Sequence, residues 1–368
     1  MVARKRTAVN ESGGENADTE SLFVVEMIRG RDYNRRPMRT IRGRWTVWAC
    51  GVLLVGILTV PGCFWSASNR PPVAVFSASP REGYAPLSVL LDAGGTYDPD
   101  GDAVHYAWSL DNGRTAAGRT IVHSFPEGTH EVILRVTDGR DGSDEATKTI
   151  TARPVPDGYV VRAYEWKLEG EPQVWNALLP YDLYLTYRGR YRTPFVDNYN
   201  YEDYVLDPLD DPTMLDLADV LWNLASSRPD EFVARTLAFV QGAIDYAPDP
   251  PDKEWPLYPL ETLVDGVGDC EDTAILLVSL LRAKGIACRL ATVDTDGDGH
   301  LDHVLALVEV SAETAASLSC STGVSLTILE IDGALHAVAE TAVESGSFPL
   351  GCDPWGLDPE DVIETWSF

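Results

Sequence analysis

The chain has 368 residues, 45% of them hydrophobic, enough for about two domains of ordinary size with tails. A net charge of −28 and a pI near 4.4 exclude nucleic acid as a partner. Six cysteines with no CxxC pair and no histidine cluster exclude a structural zinc site.

Residues 1–44 carry ten Lys or Arg against six Asp or Glu, so a basic leader precedes a strongly acidic body. Residues 1–37 are polar, lack apolar periodicity and are expected to be disordered, with Met38 a candidate true start. Basic MRTIRGR, the uncharged apolar stretch from Trp45 to Val60 and the small residues before Cys63 follow in the order of an export signal, over 45–63. The Val60-Pro61-Gly62-Cys63 end resembles a lipoprotein signal, which implies lipidation of Cys63; an uncleaved single-span anchor is the alternative. On either reading the body is exported and tethered to a membrane at the cell envelope or surface.

Over 70–154, short apolar runs are expected as strands at 73–76, 87–91 and 130–136, separated by Gly, Pro and Asp turns. Regular spacing of this kind argues for an all-β sandwich. Asp98-Pro99-Asp100-Gly101-Asp102, a strand carrying Trp108 and the closing Val136-Thr137-Asp138 resemble the PKD domain, an Ig-like module. The resemblance implies spacing or binding, not catalysis. Asp98, Asp100 and Asp102 form either a solvated acidic turn or a calcium ligand set, the former being preferred.

Residues 155–255 lead into a second domain over 256–368. Aromatic strand-like stretches at 159–168 and 175–185 precede expected helices at 214–226 and 230–245, the second with Phe232, Leu237, Phe239, Val240 and Ile244 on one face. The Pro-rich loop 248–255 either rims a cleft or serves as a rigid connector.

The most informative stretch is 259–286. Asp269 suits a helix N-cap, Asp272 completes a capping box, and the continuously apolar run from Ala274 to Leu281 predicts a buried helix ending at Gly285. Cys270 then lies in the first helical turn, where free N–H groups and the helix dipole favour a thiolate, while Glu271 and Asp272 oppose it. A base is therefore needed. His303 opens HVLALVEV, an alternating run expected as a half-buried strand, and Glu340 follows LHAVA, a strand-like run entered through the Asp332-Gly333 turn.

Cysteine at a helix start, histidine on one strand and an acid after the next resemble the transglutaminase-like superfamily. The segment Tyr258-Pro259-Leu260-Glu261-Thr262-Leu263, Gly266 and Gly268-Asp269-Cys270-Glu271-Asp272-Thr273 resembles its microbial branch. The resemblance implies Cys270 as nucleophile, His303 as general base and acid, and Glu340 as the group orienting the imidazole, with Asp332 as fallback. The fold it implies is an α+β transglutaminase/papain-like core behind the sandwich. The expected activity is acyl transfer through a thioester, with hydrolysis of a peptide, isopeptide or amide bond ahead of crosslinking. The alternatives are an inactive transglutaminase-like adhesion protein and a calcium-dependent periplasmic cysteine protease. The expected partners are a protein or peptide substrate and the membrane.

No cofactor is required on this reading, but calcium is a candidate. Asp294, Asp296, Asp298 and Gly299 follow the first half of an EF-hand loop with Asp302 at the ninth position, while Leu305 stands where a bidentate Glu belongs. Bound calcium and an acidic hairpin tip both remain open. Among the other cysteines, Cys320 with Cys352 is the expected disulfide, leaving Cys288 on a buried strand. His336 is expected to face outward; His300 is a candidate competing base, against which counts its place inside the acidic loop. The Cys270 N–H is the expected oxyanion donor, with Trp255 or Tyr258 as side-chain candidates.

Overall fold

The computed structural model describes residues 23–24, 68–192, 200–250, 254–321, 323–342 and 348–368. The export signal and Cys63 lie outside them. Among the described residues, no helix is long and apolar enough to cross a membrane.

The N-terminal unit is a sandwich of two sheets. Strands Ser77–Ser79, Leu87–Asp92 and Thr120–Phe125 form one; Glu82–Tyr84, Ser143–Arg153, Gly128–Thr137, His105–Ser109 and Thr115–Ala117 form the other, in that order. Period-two alternation places Leu87, Val89 and Leu91 opposite Val132, Leu134 and Val136, all buried. Trp108 lies between the sheets, edge-on to Phe76 at 5.1 Å, and its indole N–H donates to the Gly118 carbonyl at 2.8 Å. The expected strand at 73–76 is not formed: Val73 makes an isolated bridge to Tyr97, and the first strand begins at Ser77.

In the second unit, β1 (Tyr159–Leu168) and β2 (Glu171–Pro180) form a hairpin turning on Glu169 and Gly170, both at positive φ. The second strand stops at Pro180, and 181–188 is a helix, α1 (Tyr181–Arg188), so the strand expected to continue to 185 is shorter. Helices α2 (Asp211–Leu224), α3 (Pro229–Ala243), α4 (Pro259–Asp265) and α5 (Cys270–Arg282) follow. The remaining strands are β3 (Cys288–Val293), β4 (His303–Val310), β5 (Ile328–Ile331), β6 (Ala334–Ala339) and β7 (Val362–Ser367). They form an antiparallel sheet in the order β5-β6-β4-β3-β7, with the two residues Phe23–Val24 paired along the free edge of β5.

Both faces of this sheet are covered. Leu290, Val304, Ala306 and Val308 pack with Ile275, Val278 and Leu281 of α5, while Val293, Leu305, Leu307 and Val338 pack with Leu357 on the other side. That is why β4 is buried on both faces where its alternation suggested a half-buried strand. The lead-in segment belongs to the same core, since Tyr164, Trp166 and Trp175 surround Phe239 and join the α5 cluster.

The hairpin also positions the site. A helix leaves its last carbonyls without intrahelical partners; here Arg162 donates to the Val264 carbonyl at 2.6 Å and Tyr164 to that of Leu263. Gly266, at φ 73°, then turns the chain out of α4 toward Cys270. Between the units, the Asn176 amide bonds both the N–H and the C=O of Ser88, at 2.8 and 2.7 Å.

Candidate active site

Helix α5 begins with the expected cap. The Asp269 N–H donates to Asp272 Oδ2 at 3.3 Å, and the Thr273 hydroxyl donates to the Asp269 carbonyl at 2.6 Å. Asp272 also accepts the Leu257 N–H at 2.6 Å, so its carboxylate ties the incoming loop to the helix start. Gly268 is required by close approach, because a Cβ there would stand 2.7 Å from that of Asp272.

The Cys270 thiol is half-buried and donates to Glu271 Oε2 at 3.3 Å. Burial pushes it well above its ordinary range, Glu271 and Asp269 push it further, and the Val304 backbone N–H aimed at the sulfur opposes them. The helix start alone therefore does not deliver a thiolate. Cys270 rests as a thiol, and any use of its sulfur as a nucleophile needs a base.

That Val304 contact brings the start of β4 to the sulfur. His303, the preceding residue, bonds through Nε2 to Glu340 Oε2 at 2.9 Å, which leaves Nδ1 as the ring nitrogen for proton exchange. Glu340 is 1% exposed, and its other oxygen accepts the Ala342 N–H at 2.6 Å. The backbone is held as well: Gln241 donates to the carbonyls of Glu340, at 2.7 Å, and Phe348, at 2.9 Å. A bond of 2.8 Å between the Thr273 and Thr341 hydroxyls joins α5 to the same segment.

Asp332, the fallback acid, lies instead at the tip of the β5–β6 hairpin, in the left-handed region, paired with Arg289 at 2.5 Å. Five residue steps of β6 separate this tip from the Glu340 end, roughly 17 Å of strand. The acidic loop brings carboxylate oxygens of Asp294, Asp296 and Asp302 within 4.8 Å of one another, without Asp298. Asp294 is already engaged by the N–H groups of Gly297, Asp298 and Gly299. Asp298 caps the His300 N–H at 2.8 Å. His336 does not face outward: it is buried, bonded through Nδ1 to the Ala334 carbonyl at 3.2 Å, and burial lowers its pKa. Cys320 and Cys352 are joined by a disulfide, and Cys288 is a buried thiol.

Three neighbours of the site had no sequence signal. The Trp355 ring packs on His303 with centroids 4.4 Å apart. Tyr201 and Tyr246 also lie beside Cys270 and Glu271, and burial raises the pKa of both, that of Tyr246 to about 12. Of the side-chain oxyanion candidates, Tyr258 is committed to a stack on Tyr187 at 4.3 Å. Trp255 lines a cavity of about 440 Å³ with Leu257, Val267, Gly268 and Asp272, on the flank of the α5 start.

Comparison with known proteins follows the same division. Residues 69–153 match the PKD domain model, and residues 221–348 match the model of the transglutaminase-like superfamily. The chain carries a PKD domain followed by a transglutaminase-like domain. The transglutaminase-like domain accounts for the mixed helix and sheet architecture around Cys270, a fold of the cysteine-protease-like or acyltransferase-like kind. Among solved structures, the PKD1 domain of Vibrio anguillarum Epp is 30% identical over 23% of this chain and 98% of its own, with a TM-score of 0.21. The PKD1 domain of the Vibrio cholerae metalloprotease PrtV is 32% identical over 23% of this chain and 99% of its own, with a TM-score of 0.20. A structure described for carbohydrate-binding modules of the β-sandwich superfamily is 24% identical over 29% of this chain, with a TM-score of 0.22; the match spans about half, 53%, of that chain.

Proposed function

We propose that this protein is an exported, membrane-tethered cysteine enzyme that transfers acyl groups through a thioester on Cys270, hydrolysing a peptide, isopeptide or amide bond. The observation that carries the reading is the His303–Glu340 bond of 2.9 Å, with Glu340 fully buried, beside a cysteine in the first turn of a buried helix. A buried carboxylate on Nε2 selects the tautomer that leaves Nδ1 able to accept a proton, the division of labour of base and orienter.

In the forward step the Cys270 sulfur attacks the carbonyl carbon as its proton passes to His303 Nδ1. Glu340 balances the imidazolium. The developing oxyanion faces the Cys270 N–H at the helix start, which is preorganised to receive it. The tetrahedral adduct collapses by breaking the C–N bond, and the departing amine takes the proton from His303. Water then attacks the thioester, giving its proton to His303. The carboxylic acid leaves as the C–S bond breaks, and the proton returns to sulfur. An amine in place of water would give crosslinking; hydrolysis is preferred by analogy with microbial proteins sharing the GDCEDT core.

The test is site-resolved alkylation of the full chain by iodoacetamide at one neutral pH, followed by mass spectrometry. Cys270 should react at least about 10²-fold faster in the wild type than in His303→Ala, the low end of the contribution of a positioned base. Equal rates would sink the proposal and favour the second reading, a transglutaminase-like binding protein without turnover. The observation on that side is the hydrogen bond from the thiol to Glu271 in place of one to a base.

A further inference from the structure

Thr273 and Thr341, 2% and 3% exposed, stand between the first turn of α5 and the segment that carries Glu340, with their hydroxyl oxygens 2.8 Å apart. A hydroxyl has one proton to give. That of Thr273 lies 2.6 Å from the Asp269 carbonyl and 3.2 Å from the Cys270 carbonyl, and carbonyls only accept. The Thr273 proton is therefore committed to its own helix turn, and the bond between the two hydroxyls has one direction: Thr341 donates and Thr273 accepts. The order Thr341 to Thr273 to Asp269 lies out of water, where aligned hydroxyl dipoles strengthen one another.

Both ends of this relay adjoin the site. Asp269 immediately precedes Cys270. Thr341 lies between Glu340, bonded to His303 at 2.9 Å, and Ala342, whose N–H holds the other oxygen of the same carboxylate at 2.6 Å. A shift of Thr341 thus re-aims the acid. We propose that Thr273 and Thr341 are positioning residues whose directed hydroxyl pair sets the spacing between Cys270 and the His303–Glu340 pair. The proposal rests on the reading of His303 as the base. Valine in place of either threonine keeps its shape and removes its hydroxyl, but the two losses are unequal. Without the Thr341 hydroxyl, Thr273 still bonds Asp269; without that of Thr273, the buried Thr341 proton loses the acceptor it has here.

Site-resolved alkylation of Cys270 by iodoacetamide and thermal melting of the full chain, at one neutral pH, test the pair. Thr341→Val and Thr273→Val should each slow alkylation about three- to ten-fold, the worth of a hydrogen bond, with Thr341→Ser and Thr273→Ser within about two-fold of wild type. The effect acts through the imidazole, so Thr341→Val should change the rate less than about two-fold once His303 is already alanine. Thr273→Val should melt below Thr341→Val, because it alone strands a buried hydroxyl. The double valine variant should melt above Thr273→Val and stay as slow. Misfolding of Thr273→Val leaves Thr341→Val, which strands nothing, to decide. Wild-type rates in the valine variants, equal slowing by Thr341→Val with and without His303, a double variant that recovers the rate, or Thr341→Val melting below Thr273→Val would overturn the inference and leave the role of His303 intact. Wild-type reactivity in His303→Ala would overturn both.

Discussion

Glu340 reaches His303 from the end of the neighbouring strand, with 2.9 Å between Oε2 and Nε2, and does so with its second oxygen already bonded to the Ala342 N–H. Both carboxylate oxygens are engaged and the side chain is out of water. The acid is therefore rigidly aimed. Replacing it with Gln keeps the shape and removes the charge that stabilises an imidazolium. We expect Glu340→Gln to fold normally and to lower the alkylation rate of Cys270, and turnover once a substrate is known, by about 10²–10⁴-fold. A rate within two-fold of wild type would mean that the pair is structural.

Trp355 packs on the other side of the same imidazole at 4.4 Å, on a turn built by Asp353, which accepts the Trp355 N–H at 2.9 Å and the Thr327 hydroxyl at 2.9 Å. The ring limits the orientations open to His303. Trp355→Ala is expected to slow Cys270 alkylation about three- to ten-fold, with Trp355→Phe restoring most of the rate, in line with the worth of an aromatic contact. Equal rates in the Ala and Phe variants would assign the tryptophan no positioning role.

Asp210, 2% exposed before α2, accepts the Leu260 N–H at 3.1 Å, and its burial raises its pKa from 3.8 to about 7. A raised folded-state pKa means that the native protein holds this proton more tightly than the unfolded chain. Stability from this group is thus complete below about pH 4 and is lost as pH rises toward 7. Asp210→Asn keeps an acceptor and avoids the buried charge. We expect the variant to match the wild type near pH 4 and to exceed it at pH 8 by about 2–4 kcal/mol in urea unfolding. A variant less stable at pH 8 would contradict this account.

The Cys320–Cys352 bridge closes a loop with a sequence separation of 32, and Cys352 adjoins the Asp353 turn that carries Trp355. Closing such a loop in the unfolded chain should contribute about 3–4 kcal/mol. Replacing both cysteines with serine is expected to cost roughly that amount and to slow Cys270 alkylation no more than Trp355→Ala does. A greater slowing would show that the bridge governs more of the site than the tryptophan turn.

Much of this protein was determined locally. Asp269, Asp272 and Gly285 mark the ends of α5 through backbone hydrogen bonding and left-handed geometry within a few residues of each position, so the start of the helix carrying Cys270 was readable from the chain alone. The same holds for His303 at the head of β4 and for the Asp332-Gly333 turn into β6. Regular spacing of short strands pointed to the sandwich, whose core the structure fills with Trp108. Alternation misled, because periodicity registers one covered face. β4 is buried on both, and His336 is buried on a strand where a polar residue suggests solvent.

What only the tertiary structure decided are the relationships between distant segments. Glu340 rather than Asp332 meets His303 because the antiparallel register of β6 against β4 brings only the Ala339 end of β6 to the start of β4. Trp355 arrives from a turn, Tyr201 from the cap of a four-residue helix and Tyr246 from a two-residue strand, segments too short to carry periodicity. The thiol of Cys270 is raised, not lowered, because burial and two flanking carboxylates outweigh a helix terminus, and desolvation depends on everything packed around the sulfur. Calcium ligation looked most natural at Asp294, where the donors are contiguous. Carboxylate oxygens of Asp249, Asp269 and Glu271 come within 4.8 Å of one another only after two segments fold together.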